Sequence, residues 1–243
     1  MLRAMDTITG GAGGTTAAFF DLDKTIISRS STLAFAPSFY RHGLITRSQA
    51  ARGALAQIRY RTGGAGHSQM ERIKQQLTSA CRGWPAERVA EIVTANLTAT
   101  IAPIIYQQAR LLLDDHKSAG RDVFIVSTAG QEMVGPIAAM LGVGGVIATR
   151  MRLAEGRYTG EVDFYAYGEG KAEQIRRLAG ERGYDLGTCY AYSDSHTDLP
   201  MLEAVGYPHA VNPDRALRRV ALARGWPVLT FASARVPRQR PGM

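Results

Sequence analysis

Cysteine is scarce and long apolar runs are absent from this 243-residue chain, and each absence excludes a class of protein. Cys81 and Cys189 are too few and too far apart for a disulfide framework or a metal site, so we expect both to be buried. No window approaches the roughly 18 apolar residues that a membrane helix requires. Residues 1–15 contain Asp6 and several glycines where a secretory signal has its apolar centre. We therefore expect a cytoplasmic protein with a flexible N-terminal tail over residues 1–15 and no membrane partner.

Acidic residues are scarce in two stretches that each carry a charge of +7, so the rest of the chain is acidic at about −6 and the net charge is +8. Residues 41–88 contain nine basic residues against two acidic ones, and no acidic residue follows the seven arginines that begin at Arg215. Such blocks form solvated surfaces or attract an anionic substrate. Nucleic acid is the weaker interpretation, because aromatic residues that would stack on bases do not alternate with the arginines. Residues 233–243 are interpreted as a basic C-terminal tail.

Short apolar runs alternate along the chain with segments of helical periodicity. Apolar residues make up 45% of the sequence, which is enough for a full core. The apolar runs are near-continuous, as in a parallel sheet that is covered on both faces; they span 16–20, 122–127, 145–151, 188–193 and 227–231. Helical patterns occupy 130–142, 170–183, 199–206 and 214–225, and residues 152–162 are typical of a hairpin. This order predicts an α/β protein with a doubly wound, Rossmann-like parallel sheet.

One long interval interrupts the alternation directly after the first strand. Between residues 30 and 116 only helical patterns occur, including 47–61 and 85–101, with a glycine-rich loop at 62–68. An interval of that length is typical of a subdomain rather than a loop. We therefore predict a catalytic core made of residues 16–29 and 117–232, with a helical cap at 30–116.

Polar side chains follow several of the predicted strands. Ligands of open α/β sheets bind at the carboxyl ends of the strands, so these side chains are expected to converge on one edge. Asp21 and Asp23 follow the first strand, and Ser127 and Thr128 end the second strand ahead of a helix. Lys171 opens the helix after the hairpin. Asp194 and Asp198 follow the strand at 188–193. Taken singly, each also fits a turn, a helix cap or a solvated helix position.

Taken together and in order, these residues resemble a known family. The segments "DLDKT", "ST", "GEGK" and "SDSHTD" are similar to the four motifs of the haloacid dehalogenase-like phosphohydrolases, and the similarity runs from about residue 16 to 231. The helical insertion after the first motif resembles the cap of subfamily IB, which contains phosphoserine phosphatase. The resemblance implies a phosphatase that hydrolyses a small phosphorylated metabolite.

The resemblance also implies a role for each motif residue, and the chemistry of phosphoryl transfer requires each kind of group. Asp21 would attack phosphorus and form an aspartyl-phosphate, while Asp23 would protonate the leaving oxygen and later deprotonate water. Mg²⁺ would be held by Asp21, by the backbone carbonyl of Asp23 and by Asp194.

The remaining motif residues would bind the phosphoryl group or support the residues that do. Lys171 would offset negative charge, and Ser127 and Thr128, with nearby backbone N–H groups, would bind phosphoryl oxygens. Asp198 would orient Lys171 or a metal-bound water.

Two departures from the family pattern concern the substrate. Ser193 and Ser195 replace glycines of the fourth motif, and Ser30 stands where phosphoserine phosphatases carry a glutamate that binds the substrate ammonium. Losing that carboxylate removes a contact worth about 1.5–3 kcal/mol, which disfavours phosphoserine. Because the predicted cap is rich in arginine, we hypothesise a substrate with a second anionic group.

Two other functions remain open at this stage. One is a phosphotransferase, which would pass the phosphoryl group from the same intermediate to an alcohol. The other is a non-catalytic protein that binds anions or nucleic acid through its arginine blocks, and that would show salt-sensitive binding without phosphatase activity.

Overall fold

The computed structural model describes residues 16–46, 78 and 80–232, and in these residues the chain forms seven strands in one sheet. Their order across the sheet is β4-β3-β2-β1-β5-β6-β7. All neighbouring strands are parallel except β3 and β4, which form an antiparallel hairpin at one edge. The strands are β1 (Ala17–Phe20), β2 (Asp122–Gly130), β3 (Gly145–Ala154), β4 (Arg157–Phe164), β5 (Tyr190–Ser193), β6 (Tyr207–Val211) and β7 (Val228–Leu229). The predicted doubly wound α/β class is confirmed.

Helices connect the strands and cover both faces of the sheet. In chain order they are α1 (Ser31–Arg41), α2 (Ala86–Ile101), α3 (Gln107–Ser118), α4 (Gln131–Met140), α5 (Glu169–Arg182), α6 (Leu199–Glu203) and α7 (Arg215–Ala223). The helical patterns at 85–101, 130–142, 170–183, 199–206 and 214–225 therefore correspond to α2, α4, α5, α6 and α7.

The central strand β1 has a buried side chain at every position, and its residues alternate between two apolar clusters. Ala18 and Phe20 belong to the cluster that includes Leu113 of α3 and Ile137 of α4. Phe19, on the opposite face, packs with residues of α5 and α7. Successive side chains of a strand point to opposite faces, so a near-continuous apolar run is what a strand between two helical layers requires.

Strand β6 was not among the predicted strands, and Pro208 explains the omission. A proline inside an apolar run argues against a central strand because it cannot donate a ladder hydrogen bond. In β6 the N–H groups alternate in direction: that of Tyr207 donates to Cys189 of the β5 side, and that of Ala210 donates to Pro227 of the β7 side. Pro208 is two residues before Ala210, so its nitrogen faces the same side as the Ala210 N–H, towards β7. However, β7 pairs with β6 only from Ala210 onward. No ladder bond is therefore lost at Pro208.

The predicted domain boundaries stay a prediction. Helix α3 runs across the proposed boundary between residues 116 and 117. Helix α1 packs on α2, which in turn packs on α4 of the proposed core. The helical pattern at 47–61, the loop at 62–68 and both terminal tails lie outside the described residues.

The two cysteines differ in their surroundings. Cys189 is buried as expected, whereas Cys81 is partly exposed, so the expectation that both are buried is wrong for Cys81. Within the described ranges, no helix has the length and apolar character that a membrane span requires.

Candidate active site

The carboxyl end of β1 delivers Asp21 to a buried position at the edge of the sheet. The Asp21 N–H donates to the carbonyl of Tyr192 on β5 at 2.9 Å, so the residue continues the strand ladder by one step. Its carboxyl group is 7% exposed. The Thr25 hydroxyl donates to Asp21 Oδ2 at 3.2 Å. The strand ladder therefore holds the backbone of Asp21, and the Thr25 hydroxyl contacts its carboxylate.

Lys171 joins two carboxylates from distant parts of the chain. Its Nζ atom donates to Asp21 Oδ1 and to Asp198 Oδ2, each at 2.8 Å. The lysine is 1% exposed, so the ammonium is held by these carboxylates inside the protein. A buried cation of this kind is stable only when its partners remain charged and in contact with it.

Two glycines place Lys171 in the first turn of α5. Gly168 precedes the helix with φ of 53° and ψ of −124°, a backbone conformation that side chains disfavour. At Gly170, an added Cβ would lie 2.7 Å from the carbonyl oxygen of Tyr165. The "GEGK" segment is therefore shaped by the tight approach of this turn to the preceding chain, which directs Lys171 towards Asp21.

The Asp23 carboxylate is held beside the same edge by the start of α1. The Ser31 N–H donates to Asp23 Oδ1 at 2.9 Å. Ser30, at the position where phosphoserine phosphatases carry a glutamate, is the residue before this helix and is buried. Helix α1 therefore positions Asp23 through its free N-terminal backbone groups.

The loop after β5 carries the second pair of acids. The Ser193 hydroxyl donates to Asp198 Oδ2 at 2.7 Å, next to the contact with Lys171. Asp194 lies 3.7 Å from Lys24 Nζ. The Asp214 N–H donates to the Asp194 carbonyl at 2.8 Å, so the chain before α7 supports this loop.

Ser127 and Thr128 end the regular part of β2 but differ in their contacts. Ser127 is buried, and its Oγ accepts from the Ala129 N–H at 3.2 Å, which leaves its own proton for another acceptor. The Thr128 hydroxyl donates to the Ala166 carbonyl at 2.9 Å. That proton is therefore used within the protein, and the predicted role of Thr128 in binding substrate stays a prediction.

Burial raises the pKa of Asp21, Asp23 and Asp194, whereas ion pairing decides the direction of the Lys171 pKa. Burial raises the pKa of Asp21 to about 7, against the opposing effect of Lys171. It also raises the pKa of Asp23, although the hydrogen bond from Ser31 opposes the shift, and it raises the pKa of Asp194 together with the charge of Asp21. Burial alone would lower the pKa of Lys171, but the carboxylates of Asp198 and Asp21 outweigh it and raise that pKa.

These groups fit a divalent cation in charge and in donor type. The site contains two ammonium groups, those of Lys24 and Lys171, and four carboxylates, those of Asp21, Asp23, Asp194 and Asp198. Together they carry a formal charge of −2. Among the described residues no three His, Cys, Asp or Glu side chains form a preassembled metal cluster. Mg²⁺ does not require one, because it binds one or two carboxylates together with water and phosphate oxygens.

Sequence reasoning missed three supporting residues. Thr25 and Lys24 stand inside the first motif segment, so their positions within "DLDKT" were the available signal. Asp214 had no such signal, because its link to Asp194 depends on where α7 packs. His196, next to Asp194, is exposed on the loop.

Most of the chain is similar in sequence to known proteins. Residues 18–203 match the family model of haloacid dehalogenase-like hydrolases. The chain is 58% identical over 229 residues to the "Inhibition of morphological differentiation protein" of Streptomyces azureus, covering 93% of this chain and 83% of that one. It is 31% identical to a histidinol-phosphatase of Neisseria meningitidis, covering 88% of this chain and 98% of that one.

A solved structure has the same fold. The phospho-aspartyl intermediate analogue of a phosphoserine phosphatase aligns with a TM-score of 0.64 and 18% identity, covering 88% of this chain and 92% of that one. The chain belongs to the haloacid dehalogenase-like hydrolases. Within that family it is a phosphatase of the phosphoserine phosphatase-like group, whose members are generally metal-dependent.

Proposed function

We propose that this protein is a Mg²⁺-dependent phosphatase that hydrolyses a small phosphomonoester through an aspartyl-phosphate at Asp21. The observation that carries the proposal is the buried contact of Lys171 with both Asp21 and Asp198. A lysine enclosed between two carboxylates orients the Asp21 carboxylate and keeps an N–H donor beside it. That ammonium can donate a hydrogen bond to an oxygen of a phosphoryl group that approaches Asp21.

In the first half-reaction, a carboxylate oxygen of Asp21 attacks phosphorus and the bond to the leaving oxygen breaks. The leaving oxygen takes its proton from Asp23, which is half-buried and held by the Ser31 N–H. Burial raises the pKa of Asp23 and so favours the protonated acid that this step needs. The alcohol then leaves and the phosphoryl group stays on Asp21.

In the second half-reaction, Asp23 acts in the opposite direction. Now a carboxylate, it removes a proton from the water that attacks the aspartyl-phosphate, and inorganic phosphate is released from Asp21. Lys171 and the Ser127 hydroxyl bind phosphoryl oxygens in both steps. Asp198 keeps Lys171 in place, since Ser193 holds the same oxygen of Asp198 that accepts from the lysine.

The proposed ligands of Mg²⁺ are the Asp21 carboxylate, the Asp23 carbonyl and the Asp194 carboxylate. When bound, the ion neutralises charge on the phosphoryl oxygens and on these carboxylates. Asp194 is 7% exposed, so solvent compensates little of the negative charge of its carboxylate. Lys24 lies beside it and compensates part of that charge.

The substrate is a small phosphorylated metabolite, and its identity beyond that is a proposal. The sequence hypothesis of a second anionic group rests on the basic residues between 41 and 88, most of which lie outside the described residues. Phosphoserine and histidinol phosphate, the substrates that the names of relatives suggest, belong in the first substrate panel.

The test is phosphate release by the wild-type protein and by Asp21→Asn, with Mg²⁺ present and then chelated. We expect turnover only in wild type with metal, and trapping with hydroxylamine should detect an acyl-phosphate in wild type alone. Asp163→Asn is a matched control, because Asp163 is half-exposed and paired with Arg152 on the hairpin. Full activity of Asp21→Asn would overturn the proposal.

Adding glycerol as an acceptor separates hydrolysis from phosphotransfer. A hydrolase releases inorganic phosphate at an unchanged rate, whereas a phosphotransferase yields glycerol phosphate at its expense. We expect the first result.

A further inference from the structure

A cavity of about 260 Å³ lies between the first residues of α1 and the ends of β2 and β3. Its size suits the organic part of a small metabolite. The described walls are largely apolar; their larger aliphatic, thioether and non-hydroxylated aromatic side chains are Leu33, Phe39, Ile45, Trp84, Met133 and Met151, and Tyr158 and Tyr165 also line the cavity. A cavity of this kind favours an apolar body over a fully hydrated polar one.

The cavity adjoins the edge of the sheet that carries Asp21 and Asp23, and it does so at two points in the chain. Thr32 lines it and directly follows Ser31, whose N–H binds Asp23. Thr128 also lines it and directly follows Ser127. A phosphoryl group at Asp21 would therefore direct its leaving group past Asp23 and into this space.

Glu132 is the charged residue among the described lining residues, which include no lysine, arginine or histidine. It lies in the first turn of α4, and its negative charge, after burial, raises the pKa of the Tyr158 hydroxyl. Its Oε2 atom is buried and has no hydrogen-bond partner among the described residues. That oxygen is near the end of β2, since a Cβ added to Gly130 would lie 3.5 Å from it.

A carboxylate oxygen that is removed from water without a partner is unfavourable, and a bound cation relieves the cost. We propose that the cavity holds the leaving group of the substrate and that Glu132 selects a leaving group with an apolar body and a positively charged nitrogen. This inference rests on the proposed function. Its charge preference is opposite to the second anionic group that the basic residues of the sequence suggested, so one experiment tests both.

The experiment uses three aryl phosphates of similar size that differ in charge. They are para-aminomethylphenyl phosphate, para-ethylphenyl phosphate and para-carboxymethylphenyl phosphate, which carry a cationic, a neutral and an anionic substituent. We expect kcat/KM of the wild-type protein to be about 10- to 100-fold higher for the cationic ester than for the neutral one, the range of a charge-assisted hydrogen bond. The anionic ester should be the poorest substrate.

Glu132→Gln should remove most of this preference and improve turnover of the anionic ester. Glu91→Gln is the matched control, because Glu91 is exposed on α2 and paired with Arg88. A glutamate that only stabilises the N-terminus of α4 would change thermal stability without changing the order of the three esters. That result, or an anionic preference in the wild type, overturns the inference.

Binding separates this inference from the proposed function. Calorimetric titration of Asp21→Asn with the three esters measures the charge preference without turnover. If wild type hydrolyses none of them but the cationic ester binds most tightly, the proposed function fails and the selectivity of Glu132 stands. If all three are hydrolysed and bound alike, the proposed function stands and the role of Glu132 fails.

Discussion

Lys171 Nζ lies 2.8 Å from Asp21 Oδ1 although 150 residues separate them in the chain. The same ammonium contacts Asp198, and all three groups are buried. An ion triad of this kind links the central strand, the start of α5 and the loop after β5. The stability of the fold and the chemistry of the site therefore depend on the same contacts.

Lys171→Met should destabilise the protein by about 3–5 kcal/mol, because it leaves two buried carboxylates without their cation. Urea denaturation of the metal-free protein measures the change. Arg176→Met on the same helix breaks an exposed pair with Glu169 and should cost at most about 1 kcal/mol. The double variant Lys171→Met/Asp198→Asn should recover part of the stability without recovering activity. A loss in Lys171→Met no larger than in Arg176→Met would contradict the triad.

Asp23→Asn should slow turnover in proportion to how much the leaving oxygen needs a proton. An alkyl phosphate, whose alkoxide is a poor leaving group, should lose about 10²–10⁴-fold in rate, the usual contribution of a general acid. para-Nitrophenyl phosphate, whose phenolate leaves unaided, should lose much less in the formation of the aspartyl-phosphate. Burst kinetics with both esters make the comparison. Equal losses in the burst phase would exclude Asp23 as the acid.

Asp194→Asn should weaken metal binding by at least roughly 10–100-fold. That is the usual loss when a residue that only supports a metal ligand is changed, and the loss of a direct ligand should be no smaller. Mg²⁺ is expected to raise the melting temperature of the wild-type protein, because a ligand that binds only the folded state stabilises it. Calorimetry and thermal melts at increasing Mg²⁺ measure both effects, with Asp163→Asn as the exposed control. An unchanged affinity in Asp194→Asn would remove this residue from the ligand set.

Stability should fall in mild acid through His116, which is buried on α3 against the Tyr192 hydroxyl at 2.8 Å. Burial, aided by Arg121 and His209, lowers the pKa of His116 from 6.5 to about 4. The unfolded chain therefore binds a proton that the folded protein excludes. The contribution of neutral His116 to the free energy of unfolding is fully present above 6.5, the pKa of the histidine in the unfolded chain. It decreases as the pH falls from 6.5 towards 4. We expect a loss on the order of 1–2 kcal/mol between about pH 7 and pH 5 from this group.

His116→Gln tests that assignment by removing the titrating ring. Urea denaturation of both proteins at several pH values should show a shallower decline for the variant between pH 7 and 5. The difference between the two curves isolates His116 from the other acid-sensitive groups. Parallel curves would assign the decline to those other groups.

The local sequence predicted most of the sheet. Near-continuous apolar runs identified the central strands, and Lys171 contacts Asp21 and Asp198, which follow two of those strands. The roles predicted for these residues stay predictions. Strand β6 was missed because Pro208 argues against a ladder position, and only its place beside the short β7 removes the objection. Asp214 was missed for a related reason, since its contact with Asp194 depends on packing.

Chain order and residue type were sufficient for the fold class and for the family, because apolar periodicity and strand-end polarity are local properties. Whether a carboxylate is buried, paired or left without a partner is not local. The contact of Lys171 with Asp198 arises only when helices and strands that are distant in the chain pack together, and so does the burial of a Glu132 oxygen that has no partner among the described residues. Burial sets the electrostatic strength of each charged group, so the electrostatics of this site, and the substrate charge it favours, depend on the folded chain.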